Sequence, residues 1–186
     1  SEADKGSERE GKEQLSLPSG EVGGFKPGKP VGSDGIMVKF TVYGEPKAKG
    51  RPRVSVRKSG DGEKTFARAY TPKATVIYEN QVKMEYENQC ENFRFPDDAM
   101  LDVRIFAFYG IPKSTSKKKR QMMLEGKIRP VKKPDFDNIA KIICDSLNGI
   151  AYRDDAIIVD GMFRKYYSEQ PRVEVSIREV GGAYEQ

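Results

Sequence analysis

Five aspartates and one lysine crowd a short stretch of the chain: Asp135, Asp137, Lys141, Asp145 and the pair Asp154–Asp155. The protein around them is basic, with 33 Lys and Arg against 28 Asp and Glu and a formal net charge of +5. A basic chain holds phosphate through its lysines and arginines. Carboxylates in its midst repel that phosphate unless a cation stands between them. The combination implies a hard divalent metal at a phosphodiester, because such ions take carboxylate oxygen and water. There is no histidine. This excludes Ser-His-Asp and Cys-His catalysis, His-ligated zinc and a histidine general base, so any hydrolysis must use carboxylates, lysine, tyrosine, metal ions or water.

The spacing adds detail. If the segment is extended, Asp135 and Asp137 point to one side and Phe136 to the other, into the core. Asp137 or Asn138 then caps a helix whose apolar stripe is Ile139, Ile142, Ile143 and Leu147, closed by Asn148–Gly149. Asp137, Lys141 and Asp145 fall four residues apart along its polar face. In the functional reading, Asp135, Asp137 and Asp155 supply oxygen ligands to Mg²⁺ or Mn²⁺. Two such ions ~4 Å apart would activate a water and stabilise the leaving oxygen. Lys141 would orient that water or neutralise charge on the scissile phosphate. Each part also has a plain structural explanation: a helix cap, an i,i+4 surface pair, a solvated Asp-Asp turn. Their co-occurrence between basic flanks favours chemistry.

The elements that must position these groups can be read from apolar periodicity. Residues 1–35 are rich in Gly, Ser, Glu and Lys and are expected to be a disordered tail. One folded domain is expected over 36–180 and a short C-terminal tail over 181–186. Ile36–Tyr43 alternates as a strand, and Val54–Arg57 with Lys64–Ala69 forms a hairpin around Ser59-Gly60-Asp61-Gly62. Thr71-Pro72 opens a helix of about twenty residues, with Val76, Ile77, Tyr78, Val82, Met84 and Tyr86 loosely on one face. Met100–Tyr109 is a strand with Leu101, Val103, Ile105, Ala107 and Tyr109 inward. Lys117–Glu125 is a short basic helix capped by Ser114 or Ser116. Two strands, Ile157–Tyr167 and Arg172–Arg178, follow the motif helix. This order predicts an α+β fold, a mixed β-sheet packed by helices.

Two basic stretches flank the acids. Lys47, Lys49, Arg51 and Arg53 lie in a loop, and Lys117, Lys118, Lys119, Arg120, Lys132 and Lys133 lie just before the motif. They are expected to contact DNA phosphates, positioning the duplex without reading sequence. The hairpin is placed to reach a DNA arm or groove; for Phe66 and Tyr70, core packing is favoured over base stacking. Cys90 and Cys144 are expected to be reduced, Cys144 as a packed thiol. No apolar run is long enough to span a bilayer, and the expected location is cytoplasmic, at the nucleoid.

The run Lys133-Pro134-Asp135-Phe136-Asp137-Asn138, with Lys141, Asp145, Leu147-Asn148-Gly149, Asp154-Asp155 and Val159, resembles the core motif of the RusA family of Holliday-junction resolvases. Tyr43-Gly44-Glu45-Pro46-Lys47-Ala48-Lys49-Gly50-Arg51-Pro52-Arg53 is similar to that family's opening strand and basic loop. The resemblance implies a Mg²⁺-dependent homodimeric endonuclease, with Mn²⁺ as a substitute, that cuts four-way DNA junctions by paired symmetric nicks. It places Asp135, Asp137 and Asp155 on the catalytic metal-ligand positions and Lys141 on the essential lysine. Asp154 falls beside them as an auxiliary ligand. Asp145 either orients Lys141 or is a structural pair. A twofold dimer matches the near-twofold symmetry of a junction. The rival reading is a non-catalytic basic nucleic-acid-binding module. A restriction-type nuclease fits poorly, because three residues separate Asp137 from Lys141 where that motif has one.

Overall fold

The computed structural model describes residues 36–58 and 65–180. The expected tails at 1–35 and 181–186 and the hairpin turn Ser59-Gly60-Asp61-Gly62 lie outside the described residues. The chain runs β1 (Met37–Tyr43), β2 (Arg53–Lys58), β3 (Thr65–Tyr70), α1 (Lys73–Gln89), β4 (Leu101–Gly110), α2 (Lys117–Leu124), α3 (Phe136–Leu147), a single 3₁₀ turn (Asp155–Ile157), β5 (Ile158–Ser168) and β6 (Arg172–Glu179). This is the α+β fold that the periodicity predicts.

A four-stranded mixed sheet in the order β1-β6-β4-β5 forms the frame, and β2 and β3 make a separate antiparallel hairpin. β6 pairs antiparallel with both β1 and β4, while β4 and β5 are parallel. A parallel pair needs a long crossover. That crossover carries α2, α3 and the whole acidic motif, so the chemistry-bearing segment is strung between two neighbouring strands.

Alternation puts Val38, Phe40 and Val42 of β1, Leu101, Val103, Ile105 and Ala107 of β4, and Val173, Val175 and Ile177 of β6 on one buried face. α1 lies against β1 and α3. It buries Thr75, Tyr78, Val82 and Tyr86, a stripe at helical spacing. Val76, Ile77 and Met84, expected on the packed face, instead point to solvent. The helix turns about its axis to seat its two tyrosines, and Tyr86 meets Phe40 edge-on at 5.3 Å.

α3 is the most amphipathic helix. Ile139, Ile142, Ile143 and Leu147 are all 0% exposed, and each contributes about 1.5–3 kcal/mol by leaving water. Asn148 ends the helix, and Gly149 follows at φ +75°, a left-handed conformation that glycine takes without strain. α2 is capped by Ser116, whose hydroxyl accepts from the Lys119 N–H at 3.4 Å, which decides between the two serines.

Candidate active site

α3 begins at Phe136, with Asp135 as its N-cap residue in extended conformation. The helix therefore starts earlier than the Asp137-or-Asn138 cap expected from the sequence. Asp135 and Asp137 do not share an extended strand, since Asp137 sits in the first helical turn. Phe136 is correspondingly not a core residue. It is 61% exposed and leans on Phe163 of β5 at 6.0 Å. The Asp135 side chain makes no capping hydrogen bond, so its carboxylate is not spent on the helix.

The five aspartates divide into spent and unspent groups. Asp145 accepts an ion pair from Lys49 at 2.9 Å and a longer one from Lys141 at 3.5 Å. Asp154 caps the 3₁₀ turn, accepting from the Ala156 N–H at 2.9 Å. Among the described residues, Asp135, Asp137 and Asp155 enter no ion pair and no side-chain hydrogen bond. Asp135 and Asp137 are exposed and Asp155 is half-buried. Carboxylates left this way on an ordered frame are available to an incoming cation.

The fold does not by itself draw these carboxylates into a closed cage. Among the described residues, no three acidic or thiol side chains stand close enough together to hold a metal ion. Asp135, Asp137 and Asp155, the expected ligands, are accordingly not gathered into one such group. The electrostatic neighbours of the acids also differ. Asp135 acts on Tyr109 and Lys165, whereas Asp155 acts on Cys144 and Tyr152. The donor set itself, hard oxygen without thiol or imidazole, fits Mg²⁺ or Mn²⁺.

Lys141 stands on the exposed side of α3, its side chain 62% accessible. Its link to Asp145 is a long i,i+4 contact worth at most about 0.5 kcal/mol, so the ammonium is free to swing toward an anion. Next to it, Cys144 is a packed thiol, as the sequence suggests. Burial is the main cause that pushes it up to about 11, and its carbonyl accepts from the Tyr152 hydroxyl at 2.9 Å. A thiol so raised is a poor nucleophile at neutral pH.

The basic residues have diverse placements. Lys47, Arg51 and Arg53 are exposed. Lys49 is turned inward, held by Glu79 at 2.7 Å and by Asp145, and its backbone N–H donates to the Asn138 carbonyl at 3.1 Å. It fastens the basic loop to α3 and does not present its charge outward. On α2, Lys117, Lys118 and Lys119 are exposed, while Arg120 is paired with Glu169 of the β5–β6 turn at 2.7 Å. Lys132 and Lys133 are exposed on the loop leading into α3. The Lys132 ammonium lies 5.6 Å from the ring centre of Tyr109 and 5.8 Å from that of Tyr167.

Two residues of this site escape sequence reasoning. Lys165 of β5 donates to the carbonyls of Lys132 at 2.7 Å and Pro134 at 2.9 Å. Tyr109 of β4 donates its hydroxyl to the same Pro134 carbonyl at 2.9 Å. Burial holds the Lys165 ammonium below the usual lysine range, partly offset by Asp135. One signal was available for Lys165: it occupies an inward strand position between Phe163 and Tyr167, which pack against the core. A lysine there needs a polar reason.

An α+β domain that carries unspent carboxylates and an exposed lysine between basic segments has the constitution of a phosphodiester nuclease. Residues 43–178 match the family model described as Endodeoxyribonuclease RusA. The Bacillus subtilis (strain 168) protein bearing the name "Uncharacterized protein YqaN" is 39% identical over 143 residues, covering 77% of this chain and 96% of that protein. The chain belongs to the RusA endodeoxyribonuclease family, and so to the nucleases that act on junction DNA. No helix among the described residues is long and apolar enough to cross a membrane.

Proposed function

We propose that this protein resolves four-way DNA junctions by paired symmetric nicks, acting as a homodimer with one divalent-metal site per protomer. The observation that carries this reading is the division of the acids: Asp135, Asp137 and Asp155 are unspent, whereas Asp145 and Asp154 serve the fold. Asp135, Asp137 and Asp155 would hold the ion. Mg²⁺, or Mn²⁺ in its place, supplies Lewis-acid stabilisation of charge on the phosphodiester. The chain's own contribution is positional. The buried stripe of α3 fixes the backbone of Asp137 and Lys141. Lys141 meets the non-bridging phosphate oxygens or the attacking water. Lys47, Arg51, Arg53, Lys117, Lys118, Lys119, Lys132 and Lys133 grip the arms through their phosphates.

The deciding test incubates the protein with a synthetic four-way junction and with a linear duplex of matched sequence, each with Mg²⁺ or with EDTA. The expected products are two symmetric nicks in the junction with Mg²⁺, an intact duplex, and no cleavage with EDTA. Junction binding without cleavage of any DNA in Mg²⁺ or Mn²⁺ would instead identify a non-catalytic binding module.

A further inference from the structure

The acids of the motif leave one question open: what holds Asp135 in place, since it belongs to a loop and lacks a capping bond. We propose that Lys165, assisted by Tyr109, is a positioning residue that fixes Asp135 for metal binding; this rests on the reading of Asp135 as a ligand. The Lys165 ammonium bridges the carbonyls of Lys132 and Pro134, and the Tyr109 hydroxyl reaches the Pro134 carbonyl from β4. A peptide group is planar. Fixing the Pro134 oxygen therefore fixes the plane that contains the nitrogen and Cα of Asp135. On the other side, the Asp135 carbonyl accepts from the Ile139 N–H at 3.2 Å. The backbone of Asp135 is thus gripped before and after, and only its side-chain rotations remain free.

The same strand residue is tied twice. Arg129 donates its Nε–H to the Lys165 carbonyl at 2.8 Å, so the loop is fastened to β5 through both the main chain and the side chain of Lys165. The ammonium also lies 5.1 Å from the Tyr109 ring centre. Asp135 lies within electrostatic reach of this ammonium. Among the described residues Lys165 forms no ion pair with Asp135, and its hydrogen bonds go to the two backbone oxygens. The arrangement steadies Asp135 without occupying it, so an arriving cation has no salt bridge to break.

The test compares the full chain with Lys165→Met, Lys165→Arg and Tyr109→Phe. Thermal melting is followed in EDTA and across a Mn²⁺ titration, and junction binding is measured in EDTA. Supporting partners behind a metal ligand commonly contribute 10–100-fold in affinity. Lys165→Met is expected to lower the melting temperature in EDTA, because two carbonyls lose their donor, and, measured from that new baseline, to raise the Mn²⁺ concentration for half-maximal stabilisation by about tenfold or more, while junction binding in EDTA stays close to the parent protein. Lys165→Arg restores much of the Mn²⁺ response, and Tyr109→Phe gives a smaller rise in the same direction. An unchanged Mn²⁺ midpoint in Lys165→Met overturns the proposal. If Lys165→Met does not fold, Tyr109→Phe decides, and an unchanged midpoint there overturns it equally. If Mn²⁺ fails to stabilise the parent protein, or stabilises Asp135→Asn just as well, the reading of Asp135 as a ligand falls first and takes the proposal with it.

Discussion

The ammonium of Lys49 meets the carboxylate of Asp145 at 2.9 Å, joining the basic loop after β1 to the last turns of the motif helix. Glu79 of α1 completes the contact at 2.7 Å. One lysine therefore ties together three segments distant in sequence, and the loop carrying Lys47, Arg51 and Arg53 leaves the body of the protein beside α3.

This clamp has a measurable stability. Lys49 and Asp145 are only 29% and 20% exposed. Removing Lys49 leaves Glu79 without its ion-pair partner and Asp145 with only the long contact to Lys141, so Lys49→Met is expected to lose about 1–3 kcal/mol in a denaturant titration. Burial, the largest single influence, lowers the Lys49 pKa, and the hydrogen bonds and charges of Glu79 and Asp145 together outweigh it, so the net shift is upward. A raised lysine pKa stabilises the fold fully below the unfolded value of about 10.4, and the contribution disappears as pH rises through the folded value. The gap between parent and variant should be flat around neutrality and close only above roughly pH 10.4.

The two kinds of cation on α2 should separate by salt dependence. Replacing Lys117, Lys118 and Lys119 with Gln is expected to flatten the dependence of junction affinity on salt, by roughly 0.9 logarithmic units for each phosphate no longer neutralised. The nicking rate at saturating protein should stay near that of the parent. Arg120→Gln should change the salt slope little, because its guanidinium is held by Glu169. A larger slope change from Arg120 than from the lysines would contradict this division.

Adjacent aspartates should also behave differently. Asp154 caps the 3₁₀ turn through the Ala156 N–H, so Asp154→Ala is expected to cost about 0.5–2 kcal/mol of stability and to retain cleavage. Asp155→Asn is expected to keep its stability and lose cleavage. Thermal melts and junction nicking on the two variants check both halves, and reversed phenotypes would exchange the roles assigned to them.

Much of this was legible in the sequence because it is local. The strand alternation of Leu101 to Tyr109 and the stripe of Ile139, Ile142, Ile143 and Leu147 are set by short-range periodicity, and both are buried as read. The misreadings have physical causes. The Asp-x-Asp spacing is compatible with an extended segment and with a helix start alike, and the fold takes the latter, with Asp135 as N-cap and Asp137 in the first turn. Phe136 looked like core because aromatic residues usually are, yet it is 61% exposed and its contact with Phe163 reaches only the partly buried edge of the core. Val76, Ile77 and Met84 gave α1 several possible faces, and packing of Tyr78 and Tyr86 chose among them. The roles of Lys49 and Lys165 depend on which segments the sheet order brings together. The parallel pairing of β4 with β5 is a tertiary fact that no local pattern contains.

The central claim is that the carboxylates of Asp135, Asp137 and Asp155 act together on a divalent ion at the scissile phosphate. Its most direct measurement is junction nicking with Mg²⁺ by Asp135→Asn, Asp137→Asn and Asp155→Asn, each paired with junction binding in EDTA. Each variant is expected to bind as the parent does and to nick slower by about 10²-fold or more. A single one of the three that nicks at the parental rate would contradict the assignment.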